Sequence, residues 1–194
     1  MQSAHAGHIS SLGWDAGPGS VVAVHDLGES ATRWAGVGPL VDGGLVAVDL
    51  PGHGRSSAAD GPPPTPARAS LALLDAVWSF APRTPLVVGR GHGAAAALAG
   101  ARRRPDRIRA VAVLATPDAG GAIAAADVAA ITVPVLLLRP RDVEVDPVAA
   151  AIVEAGIGTV VDVDVAGDVV ATAPDALAAA LATALAQLAT GASR

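Results

Sequence analysis

The side chains that could do chemistry in this chain fall into six short clusters. They are His25-Asp26, "DLPGHGRSS" from Asp49 to Ser57, "GRGHG" from Gly89 to Gly93, Thr116-Pro117-Asp118, Arg139-Pro140-Arg141-Asp142, and Gly167-Asp168. His92 could take a proton from a water, and a carboxylate such as Asp142 or Asp168 could orient it. Two carboxylates brought close together would raise one pKa, or would attract a cation or an arginine such as Arg139 or Arg141. For Asp142 and Asp168 the expected outcome is a salt-bridged, catalytically silent pair. Ser56, Ser57 and Thr116 offer hydroxyls, but none has an adjacent base in the sequence. The chain has no cysteine, which excludes thiolate chemistry, disulfides and a thiolate zinc site.

Each cluster follows a short apolar run: "SVVAVHD", "GLVAVDLP", "PLVVGR", "IRAVAVLATP", "VPVLLLRP" and "GTVVDVDVAG". Most of these runs are apolar at consecutive positions, as parallel strands covered on both faces require. Helical segments alternate with them. "SATRWAGVGPLV" follows the first run, and "TPARASLALLDAVWSF" opens with Thr65 as N-cap and Pro66 at the first helical position. "DPVAAAIVEAG" and "PDALAAALATALAQLAT" are Ala-rich, and the second places Leu177, Leu181, Leu185 and Leu188 on one stripe. The expected architecture is a single α/β domain over residues 1–194, with helices on both faces of a mostly parallel sheet. "ISSLGWDAG" is expected as an antiparallel edge strand, "MQSAHAGHIS" as a frayed start carrying His5 and His8, and "ADGPPPTP" as a stiff surface loop. In such a sheet, chemistry belongs at the carboxyl ends of the strands, where all six clusters stand.

Thirteen arginines and no lysines face eighteen acids, for a net charge of −5, so nucleic acid and anionic membranes are not expected partners. Arg102, Arg103, Arg104, Arg107 and Arg109 fall where the "GHGAAAALAG" helix should end, and cations there complement the helix dipole. The longest Ala/Leu run is short of the ~20 residues of a membrane span. "MQSAHAGHIS" has neither a positive n-region nor an apolar h-region, and a cytoplasmic location is expected. No cofactor and no metal is expected, and the expected partner is a small-molecule ligand or another protein.

The ordered set of motifs resembles the α/β-hydrolase superfamily over nearly the whole chain. "VVAVHDLGESATRW" is similar to the family's strand and oxyanion loop, usually His-Gly, with Asp26 in the place of the glycine. "VAVDLPGHGRSS" is similar to its most recognisable strand and loop, where His53, like His25, is a structural residue. The resemblance sets Gly89-Arg90-Gly91-His92-Gly93 on the nucleophile elbow, Gly-x-Ser-x-Gly, with Gly91 at the nucleophile position. Small residues are needed two before and two after the nucleophile for the tight turn, and Gly89 and Gly93 supply them. Asp142 then stands at the triad acid and Asp168 at the triad histidine. His25, Asp26, Leu27, Arg90, His92 and Thr116 would border the oxyanion loop and pocket. About fifteen positions separate Thr116 from Ile131, where many relatives insert a cap, so a capless domain is expected.

The resemblance thus implies a hydrolase frame without its nucleophile or its base. A carboxylate at position 168 does not replace an imidazole simply, because its ordinary pKa of about 4 makes it a poor shuttle near neutral pH. The expected function is non-hydrolytic: a small ligand held in a vestigial pocket, or a partner-binding role. One alternative is an acid–base enzyme performing an elimination, a cyclisation or a direct attack by water, with His92 as base and Asp142 beside it. A second takes Gly89-x-Gly91-x-x-Ala94 as a dinucleotide fingerprint, with Arg90 helping to hold an anion at the helix N-terminus.

Overall fold

In a computed structural model of the chain, the described residues are 2–6, 9–15, 21–57, 65–81, 84–115, 130–143, 152–154, 156 and 158–191. Eight strands form one sheet: β1 (Gln2–Ala6), β2 (Ile9–Trp14), β3 (Val21–Val24), β4 (Leu45–Asp49), β5 (Leu86–Arg90), β6 (Ala110–Leu114), β7 (Val135–Pro140) and β8 (Gly158–Val163). Their order is β1-β2-β4-β3-β5-β6-β7-β8. β1 with β2 and β2 with β4 pair antiparallel, and every other neighbouring pair is parallel. Four α-helices have both ends among the described residues: α1 (Pro66–Phe80), α2 (Gly91–Arg103), the single turn α3 (Val169–Thr172) and α4 (Pro174–Gly191).

The apolar runs form strands because both of their faces are covered. In β3, Val22 and Val24 belong to one core cluster, with Leu73 and Val77 of α1 and Ala97 and Leu98 of α2. Val21 and Ala23 point the other way, into a second cluster with Trp34 and with Leu177 and Leu181 of α4. Leu185 and Leu188 continue the α4 stripe at its edge, as the leucine spacing implies. Helix α1 begins as expected, with Thr65 at the N-cap, Pro66 at the first helical position, and the Thr65 carbonyl accepting the N–H groups of Arg68 and Ala69. At the end of α2, Arg104 pairs with Asp106, and the Arg107 guanidinium lies 3.8 Å over the Trp78 ring.

Two expectations fail. The segment expected to fray pairs as the outermost strand β1, so "ISSLGWDAG" supplies the second strand of the sheet and not its edge. An edge strand is held by backbone hydrogen bonds along one side, and "QSAHA" has no apolar alternation to announce it. The run "SATRWAGVGPLV" does not form an α-helix but two 3₁₀ turns, Ala31–Trp34 and Gly38–Leu40. Gly36, Gly38 and Pro39 interrupt it, and Gly38 lies so close to the Trp14 ring that a Cβ there would overlap it. The Pro-rich loop, most of "DPVAAAIVEAG" and the segment 116–129, on which the capless reading depends, lie outside the described residues. No helix among the described residues is long and apolar enough to cross a membrane.

The order places β3 between β4 and β5, so the chain runs outward from β3 in both directions. The carboxyl ends of β3 and β5 flank the crevice that such a reversal opens.

Candidate functional site

Strand β5 passes into α2 with no intervening loop: Arg90 closes the strand in extended geometry and Gly91 opens the helix at φ +49°. The turn is tight. A Cβ on Gly89 would come 2.6 Å from the backbone of Gly93 and Ala94, and one on Gly93 would overlap the carbonyl ends of Val24 and His25. Backbone atoms cannot yield as a flexible side chain can, so neither position accepts a larger residue. This is the small–x–Gly91–x–small requirement read from the sequence.

The apex of the turn is filled, although not by its own side chain. A Cβ on Gly91 would fall inside the carboxyl group of Asp26, which follows β3 by two residues. Asp26 Oδ1 accepts the backbone N–H of His92 at 2.7 Å and that of Leu27 at 2.7 Å. Asp26 and Gly91, two positions at which the sequence was expected to depart from the resemblance, therefore meet in space. Asp26 brings a carboxylate to the place where residue 91 would carry a side chain. The Asp26 N–H donates to Glu29 Oε2 at 3.1 Å, which ties the Glu29 carboxylate to the backbone that carries Asp26.

Around this point lies a cavity of about 270 Å³, lined by Asp26, Arg90, Asp142 and Asp168 on its polar side and by Leu114, Val143 and Val169 among its apolar walls. Asp142 and Asp168 both reach it, but they are engaged separately. Asp142 Oδ1 accepts the N–H of Gly167 at 2.9 Å. Asp168 pairs with Arg90 at 3.2 Å and with Arg33. Both arginines also meet Glu29 Oε1, each at 3.3 Å. Glu29, Arg33, Arg90 and Asp168 thus make a quartet with no net charge. The expected partners Arg139 and Arg141 turn away instead, to Asp162 at 2.7 Å and Asp164 at 3.0 Å on the β8 side. Glu29 and Arg33 were not singled out from the sequence; their i, i+4 spacing with opposite charge was the available signal.

His92 contributes its backbone, while its half-buried ring is not among the residues lining the cavity. Leu27 likewise supplies its N–H, and its side chain is exposed. Thr116 lies outside the described residues. Among the described residues no three His or carboxylate side chains gather where they could hold a metal ion. The phosphate position of the dinucleotide reading, at the start of α2, is taken by the Asp26 carboxylate.

Beside the cavity sits a second, closed set of polar groups. His25 is fully buried, and its Nε2 accepts the Leu50 N–H at 3.0 Å. Nδ1 must then carry the proton, and it donates to the Asp26 carbonyl at 2.6 Å. Burial pushes the His25 pKa down and keeps the ring neutral. The His53 ring packs against it, centroids 5.0 Å apart. Asp49 accepts the N–H of Ala31 at 2.6 Å and that of Arg55 at 3.0 Å, and Gly54 passes so close that it has no room for a Cβ. The Ser56 hydroxyl donates to the Asp49 carbonyl at 2.6 Å and accepts the Ser10 N–H at 2.9 Å. Ser56 is therefore part of the loop's frame, and "DLPGHGRSS" folds as a clamp.

No family model matches the chain. Over 120 residues it is 32% identical to Esterase Rv0045c of Mycobacterium tuberculosis, a stretch that spans 61% of this chain and 40% of that protein. The chain thus matches about two fifths of the length of the curated relative. A crystal structure of that esterase superposes with a TM-score of 0.80 at 21% identity, over 95% of this chain and 90% of the other. The thioesterase domain from the curacin biosynthetic pathway superposes with a TM-score of 0.73 at 17% identity, over 94% and 98%.

Proposed function

We propose, from the premise that this chain has the α/β-hydrolase fold and an esterase among its relatives, that it is a non-hydrolytic protein of that superfamily, holding a small ligand in its cavity or serving a protein partner. The observation that carries the reading is the Asp26 carboxylate in the elbow. Acyl transfer of the serine type needs a nucleophile at the apex and two N–H groups aimed at the oxygen that becomes negative. Here the apex residue is Gly91, and the N–H groups of Leu27 and His92 converge on Asp26 Oδ1. An incoming ester carbonyl would have to displace a charged acceptor, which holds its donors more strongly than a neutral oxygen does.

The place of the base supports the same reading. Asp168 is held by two arginines, so its carboxylate is not free to take a proton from a water. The acid–base alternative built on His92 draws no support from the ring's position outside the cavity lining. The purified chain, offered a panel of short-chain activated esters, is expected to give no saturable turnover above the buffer rate. Saturable turnover by the unaltered chain would overturn the proposal.

A further inference from the structure

At the end of the sheet opposite the cavity, positive charge and exposed apolar surface come together. Helices α1 and α2 both finish there, where β5 and β6 begin. The stretch "RRRPDRIR", from Arg102 to Arg109, holds five of the thirteen arginines and one acid, a local +4 in a chain whose total is −5. The dipole of α2 accounts for only part of it, because that effect fades beyond the last helical turn, which holds Arg102 and Arg103. Arg104, Arg107 and Arg109 lie past the helix. Arg107 sits over the Trp78 ring, and that indole is 64% exposed, an uncommon setting for so large an apolar side chain. Leu71, two turns earlier on the same face of α1, is 51% exposed. Arg68 and Asp75 share that face and cancel in charge.

The negative total speaks against anionic partners only at long range. Screening acts over about 8 Å at physiological ionic strength, whereas the five-residue strand β5 sets the carboxylates around the cavity about 17 Å from its own first residue. A surface approaching this end therefore meets the arginines and not the total. We infer that this end of the molecule docks on an anionic lipid surface, with Trp78 and Leu71 entering the headgroup region and the arginines beside the lipid phosphates and carboxylates. A second copy in a two-fold contact would bring like charge against like. A nucleic acid would use the arginines and the ring but gives Leu71 nothing apolar to pack on. The headgroup boundary takes indole, aliphatic side chain and guanidinium together. Docked in this way, the chain keeps its cavity turned to the water, so the inference is independent of what the cavity does.

The test is cosedimentation of the full chain with vesicles of equal parts phosphatidylcholine and phosphatidylserine, beside vesicles of phosphatidylcholine alone. Trp14 and Trp34 are buried, so a change in tryptophan emission on binding reports Trp78. The chain is expected to sediment with the anionic vesicles, to shift its emission to the blue, and to be released by added salt. Phosphatidylcholine alone should give neither effect. An arginine near such a surface contributes about fivefold to partition, so Arg103→Gln with Arg109→Gln should bind about 25-fold more weakly. Should that variant fail to fold, Leu71→Gln, on an exposed face, is expected to weaken partition and keep its salt dependence. Failure of the unaltered chain to sediment with anionic vesicles at low salt would overturn the inference. Undiminished binding by the folded arginine variant would overturn it too, because another surface would then be docking. Polyglutamate and polyuridylate complete the comparison, since an emission shift with either of them and none with the vesicles would assign the patch to an acidic protein segment or to RNA and overturn the lipid assignment.

Discussion

Asp26 and Asp49 stand at or just past the carboxyl ends of the adjacent strands β3 and β4, and each accepts two backbone N–H groups from segments it must hold together. Their surroundings differ. Asp49 is 3% exposed and closed in by Gly54 and Ser56, whereas Asp26 is half-buried and faces a cavity. The same hydrogen-bonding device thus serves once as a clamp inside the fold and once at a surface that a ligand can reach. The clamp falls in the stretch that resembles the family's most recognisable strand and loop, whereas the pocket holds the three positions, 26, 91 and 168, at which the sequence was expected to depart from that resemblance.

The comparison predicts unequal costs. Asp49→Ala leaves the buried N–H of Ala31 and the part-buried N–H of Arg55 without their acceptor, and urea unfolding should show a loss of about 3 kcal/mol, the range for bonds to a charged group. Asp26→Ala exposes its two donors to a wet cavity, where water can replace the carboxylate, and the loss should be about 1 kcal/mol, as for a helix N-cap. Equal losses would remove the distinction between clamp and pocket.

The smallest effect at neutral pH belongs to His25, and it appears only on acidification. Burial lowers its folded-state pKa below the ordinary value of 6.5. The unfolded chain therefore binds the proton first, and the stability contributed by the neutral ring is complete above about pH 6.5 and lost as pH falls toward the folded-state value. Protonation would also end the bond that Nε2 accepts from Leu50. Urea midpoints of the unaltered chain should fall on going from about pH 7.5 to about pH 5.5, and His25→Asn should flatten that slope. An unchanged slope in the variant would mean that the ring is not buried as neutral imidazole.

The frame was legible where local chemistry determines it. Continuous apolar runs predict strands covered on both faces, and the glycines at 89 and 93 predict a turn with no room for side chains, because residue size and polarity at these positions announce both, whatever elements cover them. β1 was not legible, since an edge strand rests on backbone pairing and "QSAHA" has no pattern to show it. The partner of Asp168 was misread for a related reason. Arg139 and Arg141 are close to Asp142 in sequence, but the fold brings Arg90 and Arg33 to the cavity from β5 and the first 3₁₀ turn. The decisive contact, Asp26 with His92, joins positions 66 apart. Neither Asp26 nor Gly91 reveals alone, in the sequence, that the carboxylate of one lies where a side chain on the other would be.

That meeting is tested most directly by building a serine triad with and without its obstruction. Gly91→Ser with Asp168→His supplies a nucleophile and a base but leaves the Asp26 carboxylate where the serine side chain must go. Adding Asp26→Gly clears the place and frees both N–H groups. Measured on one activated short-chain ester, the double variant should be as inert as the unaltered chain and the triple variant should turn over. Equal turnover by the double and triple variants would contradict the account, because Asp26 would then be no obstacle at the elbow.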